Sequence, residues 1–238
     1  MVVSTAPKPS LRVLCLHGYA QDVSIFRSTL RYHMEELGDA VEFVYVTGPN
    51  KLLPYDMDGM ENMARMAAIK SGKAVSRDMR SWYYLQSADP EIVNGLEKSF
   101  DYLANVLENQ GPFDGIIGFS QGKYDGGLMA ALITSMLEHR NPLLDTNHPA
   151  FKFAIISSGY KLTDAKWTHL YDLPILTPSL HVYGVLDGMI APNRSMDLRD
   201  VFVAPNELCF VGAHFVPKTR MAVETISDFV MQFAPLDK

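Results

Sequence analysis

Cysteine is scarce: the 238 residues hold two, Cys15 and Cys209. Each falls in an apolar run expected to be a strand, so both read as buried, reduced thiols rather than a disulfide framework or a metal site. The seven histidines show no His-x-x-x-His spacing, and no Cys-x-x-Cys occurs. No metal and no cofactor are therefore expected. Runs of lysine and arginine are also missing. With 21 basic and 27 acidic residues the net charge is −6, which argues against nucleic acid as a partner and reads as solubility. No apolar run is long enough to cross a bilayer. Met1 to Ser10 lacks the basic start and apolar core of a signal peptide, and the final Pro-Leu-Asp-Lys matches no retention or peroxisomal address. The expectation is a soluble cytoplasmic protein without a membrane partner.

What is present suits a packed core: 47% of residues are hydrophobic and 20% charged. No internal repeat or low-complexity tract interrupts the chain, so one domain over 1–238 is expected, with 1–10 a flexible start. Leu11 to Leu16 reads as a strand and Ser24 to Leu37 as a helix stopped by Gly38. Val41 to Val46 reads as a second strand. Asp89 and Pro90 predict an N-cap and first turn for a helix that continues through Ile92, Leu96, Phe100, Leu103 and Leu107 to Gly111-Pro112. Strands are then expected at Gly115-Ile116-Ile117, Phe151 to Ile156, Leu180 to Tyr183 and Leu208 to Val211. Helices are expected from the serine motif to about Leu137, over Pro192 to Phe202 and over Thr219 to Phe233. This alternation predicts an α/β fold: a mostly parallel central sheet with helices on both faces. Residues 50–87 are the least regular part. Met57, Met60, Met63 and Met66 recur there every third residue, ahead of Trp82-Tyr83-Tyr84. They read as a helix packed on the core or as an apolar lid over a binding site.

Gly118-Phe119-Ser120-Gln121-Gly122 is the most informative stretch. Gly-x-Ser-x-Gly between a strand and a helix is the nucleophile elbow of α/β-hydrolases, where glycines let strand and helix pass closely and the turn lifts Oγ toward substrate. In that fold the acid and the base follow the serine in the chain. Asp187 and His214 satisfy this order, at separations of 67 and 27 residues (120 to 187, 187 to 214). Both stand just beyond an expected strand, and ligands of parallel sheets bind outside the carboxyl ends of the strands. Ser120 is the expected nucleophile, His214 the base and Asp187 the group that orients it. The backbone N–H groups of Gln121 and Tyr19 are the expected oxyanion donors. Asp197 and Asp200 fall inside a predicted helix and read as solvent-facing. His139, His148 and His169 read as surface residues, His181 as a satisfied core histidine, and His17 as a structural hydrogen-bonder.

Several motifs together resemble a known family: Leu16-His17-Gly18-Tyr19-Ala20-Gln21, Gly111-Pro112-Phe113-Asp114-Gly115, the serine motif, Ser158-Gly159-Tyr160, Pro178-Ser179-Leu180-His181-Val182-Tyr183-Gly184 and Ala213-His214-Phe215-Val216-Pro217. The set resembles the fungal family of small serine hydrolases, FSH-type α/β-hydrolases that include stand-alone thioesterases of lovastatin- and citrinin-type polyketide pathways. The resemblance runs from Leu11 to about Phe233. It implies a Ser120-Asp187-His214 triad and release of an acyl or polyketide chain, with an acyl-carrier domain of a polyketide synthase as partner. More distantly, the elbow is similar to that of acyl-protein thioesterases. Lys123-Tyr124-Asp125 departs from the small or apolar residues usual after the elbow, and marks Lys123 as a specificity determinant. Trp82, Tyr83, Lys123, Tyr160 and Phe215 are the expected substrate-contacting residues. A general small-molecule carboxylesterase and a non-catalytic binding protein on the same fold stay open.

Overall fold

A computed structural model describes residues 9–52, 79–86, 89–119 and 126–235. β1 (Leu11–Leu16) is apolar at nearly every position. Leu11, Val13 and Cys15 face one side of the sheet, and Leu14 and Leu16 the other. A strand covered on both faces reads as a continuous apolar run rather than an alternating one. α1 (Val23–Thr29) follows, with Asp22 Oδ1 accepting the Ile25 N–H at 2.9 Å as its cap. α2 (Arg31–Leu37) is a separate helix. The single helix expected over 24–37 is broken at Leu30, whose φ and ψ of −86° and 3° leave the helical region. The bend keeps Phe26, Leu30, His33 and Leu37 all buried, so packing overrides local periodicity. Gly38, at φ 51°, ends the pair as its residue type predicts.

β2 (Val41–Val46) returns to the sheet beside β1. β3 (Asn50–Lys51) and β4 (Arg80–Ser81) then form a two-stranded antiparallel ribbon. The expected lid methionines, Met57 to Met66, lie outside the described residues. β5 (Tyr84–Gln86) and β6 (Asp89–Asn94) form a second antiparallel ribbon. This corrects the helix expected from Asp89: the helix α3 (Leu96–Gln110) begins six residues past Pro90. Gly95 explains the difference, because its φ of 82° cannot occur inside a helix, while Ile92 and Val93 favour a strand.

β7 (Gly115–Phe119) is buried throughout. α4 (Gly126–Glu138) is the next described element, and its residues 128–137 are buried all round. It packs so tightly that a Cβ on Gly127 would sit 2.7 Å from the Ser157 carbonyl oxygen. β8 (Phe153–Ser157), β9 (Ser179–Gly184), α5 (Pro192–Arg199), β10 (Asn206–Phe210) and α6 (Arg220–Met231) complete the chain. The sheet order is β10-β9-β8-β7-β1-β2, and every pairing in it is parallel. α3, α4 and Leu198 of α5 pack on one face, and α1, α2 and α6 on the other. The chain runs outward from β1 to β2, then jumps back across β1 to β7. That reversal puts a topological switch point, the usual ligand crevice of such sheets, between β1 and β7.

Two side chains differ from their expected settings. Cys209 is exposed, because β10 is an edge strand covered mainly at Leu208. His148 is buried and accepts the Phe113 N–H at Nε2, at 2.7 Å. His181 is buried as expected, but its Nε2 finds no hydrogen-bond partner among the described residues. It lies edge-on to the Phe202 ring, and burial lowers its pKa to about 3. Among the described residues no helix is long and apolar enough to cross a membrane.

Candidate active site

The loops leaving β9 and β10 are tied together by their backbones. The Val185 N–H donates to Phe210 O and the Leu186 N–H to Gly212 O, both at 2.9 Å. Gly184 makes this possible, since any side chain there would collide with the carbonyl oxygens of Gly212 and Ala213. Asp187 stands at the tip of the first loop, 6% exposed. Its Oδ1 accepts the N–H groups of Met189 and Ile190 at 2.9 and 2.8 Å, which locks the carboxylate's direction. Its Oδ2 lies 2.6 Å from His214 Nδ1. Burial works to raise the Asp187 pKa, but the hydrogen bonds from His214, Ile190 and Met189 together hold it below its ordinary value. A carboxylate can only accept, so the proton of this hydrogen bond is carried by His214 Nδ1. The imidazole also lies against the Phe119 ring, with centroids 5.4 Å apart. Phe119 ends β7 and directly precedes Ser120. The structure thus brings Asp187 and His214 together beside the end of β7. Ser120, Gln121 and Lys123, with Tyr124 and Asp125, lie outside the described residues.

The end of β1 is built differently. His17 is fully buried. Its Nε2 accepts the Gly48 N–H at 2.9 Å, so Nδ1 carries the proton and donates to Gly18 O at 2.7 Å. Burial lowers its pKa to about 4. Trp82, also fully buried, donates its indole N–H to His17 O at 2.8 Å. Tyr19 is buried and packs with Ala20, Leu52 and Met79, so the β3–β4 ribbon rests on the loop expected to supply an oxyanion donor. Ala20 has φ 53° and Ser158, just past β8, φ 48°. β1 and β8 flank β7 on either side, and each is followed by a non-glycine residue in the left-handed region, which costs about 1 kcal/mol or more.

Of the other expected contact residues, Tyr160 follows β8 and Phe215 follows β10. The Tyr83 and Tyr160 hydroxyls meet at 2.6 Å, both residues being buried. Phe215, next to His214, is 45% exposed and packs on Phe210. Arg194 escaped the sequence reading: its guanidinium lies 4.1 Å over the Tyr160 ring. A signal was there, because a cation in a first helical turn opposes the helix dipole, and Pro192 marks that turn. Among the described residues no group of three or more metal-ligating side chains is assembled.

Sheet order, helix placement and crevice define an α/β-hydrolase. Acyl-protein thioesterase 2 of Zea mays has a similar fold, at TM-score 0.63 and 15% identity over 97% of this chain and 96% of that one. So does esterase PE8, at TM-score 0.61 and 18% identity over 97% and 95%. Residues 6–226 match the serine hydrolase (FSH1) family, and the chain belongs to it. It is 31% identical to Esterase OVCA2 of Danio rerio, over 94% of this chain and 97% of that protein. It is 33% identical to Family of serine hydrolases 3 of Saccharomyces cerevisiae, over 92% and 83%.

Proposed function

We propose that this serine hydrolase cleaves carboxylic esters or thioesters through an acyl-enzyme on Ser120. The 2.6 Å contact between His214 and Asp187, beside the residue that precedes Ser120, carries the reading. Ser120 Oγ attacks the carbonyl carbon and its proton passes to His214 Nε2. The oxyanion is held by the N–H groups of Tyr19 and Gln121, where losing one such donor costs roughly 3 kcal/mol. Collapse expels the alcohol or thiol, which takes the proton from His214. Water then repeats the sequence and frees the acid. The constrained turn at Ala20 supports a fixed oxyanion loop. The relatives named as esterases support an ester bond as the target. The two free thiols support a reducing, cytoplasmic setting.

A second reading keeps the chemistry and changes the donor: release of an acyl or polyketide chain from an acyl-carrier domain. The motif resemblance favours it, as do the apolar side chains around the Asp187–His214 pair, with Leu186 66%, Val211 86% and Phe215 45% exposed. A fluorophosphonate probe tests the common core. Labelling of the native protein and none of Ser120→Ala is expected. Absent labelling, or labelling that survives the substitution, overturns the core and favours a binding protein. Comparing kcat/KM for one acyl group on a free thiol and on a carrier separates the donors, and equal values sink the carrier reading.

A further inference from the structure

A cleft of about 530 Å³ opens beside the end of β8, lined among others by Lys161, Thr163, Thr168, Arg194, Asp197 and Asp200. Its size falls in the range of small-molecule sites. We propose that the cleft receives an anionic group, a carboxylate or a phosphate, carried by the substrate of the Ser120 centre. The inference rests on the reading above and adds the substrate's charge.

Position comes first. Phe119 pairs with Ser157 across β7 and β8, and Tyr160 follows Ser157 by three residues, at most about 10 Å of chain. Arg194, which covers the Tyr160 ring, follows Asp187 by seven residues. The cleft therefore flanks the proposed catalytic crevice, both lying past the carboxyl ends of neighbouring strands.

Charge comes second. Neither Arg194 nor Lys161 has a carboxylate within ion-pair distance among the described residues. Arg194 is held by Tyr160, and Lys161 lies 5.4 Å from the Tyr171 ring centroid. Cation–π contact fixes a cation in place without neutralising it. Asp200 is already engaged, 2.7 Å from Arg199. That leaves Asp197 as the one unmatched carboxylate lining the cleft, against two unmatched cations. The first turn of α5 holds no acidic residue, and Ala191 provides no side-chain cap, so the positive end of the helix adds to the same field. In a chain of net charge −6, two uncompensated cations beside the crevice run against the overall balance.

The anion could sit on the acyl part or on the leaving group, and matched substrates separate these. The acyl arm compares mono-4-nitrophenyl adipate with 4-nitrophenyl butyrate. The leaving-group arm compares butyryl-coenzyme A with the butyryl thioester of N-acetylcysteamine. In at least one arm the anionic member is expected to have the higher kcat/KM at low salt. That ratio should fall about tenfold in Arg194→Ala and in Lys161→Ala, and shrink with added salt. Arg194→Glu should push it below one, and Asp197→Asn should raise it. Ratios unmoved by all four substitutions, while the neutral esters are hydrolysed, overturn the cleft and leave the hydrolase standing. If no ester is turned over, the Ser120 reading fails instead. The cleft is then judged by calorimetric titration with adipate and with coenzyme A. Binding that is lost in the Arg194→Glu, Lys161→Glu double variant supports it, and equal or absent binding in both proteins overturns it. Melting temperatures and the charge-conserving Arg194→Lys identify a variant that has merely unfolded.

Discussion

His17 and His214 stand at the carboxyl ends of two strands of one sheet, β1 and β10, and their partners differ. Backbone groups occupy both ring nitrogens of His17, and burial keeps the ring neutral. It has no lone pair to give; it joins the β1 loop to Gly48 and packs against the Trp82 ring. His214 meets a carboxylate on Nδ1, an arrangement that stabilises the imidazolium whenever Nε2 takes a proton. Residue type is the same, and the chemistry is decided by whether the partner is a neutral carbonyl or an ionised oxygen.

The widest gap between the two should come from His214→Ala. We expect kcat/KM to fall at least roughly 10⁴-fold with the melting temperature nearly unchanged. Activity within tenfold of the native protein would break the comparison. Asp187→Asn should come next, at roughly 10³- to 10⁴-fold in kcat, because the amide no longer enforces the Nδ1–H tautomer. A loss seen only in KM would contradict that role. His17→Leu should act on stability, leaving the Gly48 N–H buried and unpaired at a cost of about 1–3 kcal/mol. The urea midpoint checks this, and an unshifted midpoint would remove His17 from the architecture. The smallest effect is the pH response. Burial lowers the pKa of His17 and His33 to about 4 and that of His181 to about 3. The unfolded chain therefore binds more protons than the native one between the ordinary histidine value and about 4. Stability is full above that ordinary value and falls as the pH drops through the window. From pH 7 to pH 6 each histidine should cost about 0.7 kcal/mol, read by denaturant titration. A flat profile would show that these rings are not buried neutral.

The sheet was legible in the sequence because a strand covered on both faces, such as β1 or β7, writes itself as a nearly continuous apolar run. Asp187 and His214 were legible because each follows an apolar run, the buried β9 for Asp187 and the edge strand β10 for His214. The β5–β6 ribbon was not. Asp89-Pro90 carries a strong local helix signal, and only the pairing with 84–86 and the backbone of Gly95 overrule it. Cys209 was misplaced because an apolar residue on an edge strand looks the same in sequence as one on a central strand. His148 was misplaced because its partner, Phe113, is 35 residues away and leaves no trace in the polar stretch around it. Arg194 becomes meaningful only once Tyr160, from another strand, lies beneath it.

The β3–β4 ribbon braces the loop that leaves β1. It joins the two chain ends that border residues 53–78, and an antiparallel bridge between Gln21 and Arg80 fastens it to the β1 loop. Just beyond the ribbon the Leu52 N–H donates to Met79 O at 3.0 Å, and both side chains are buried against Tyr19 and Ala20. The clasp thus works as a splint: it sets the course of the chain between β1 and α1, and a change that frees Arg80 or Met79 is felt at Tyr19 before it is felt in the sheet.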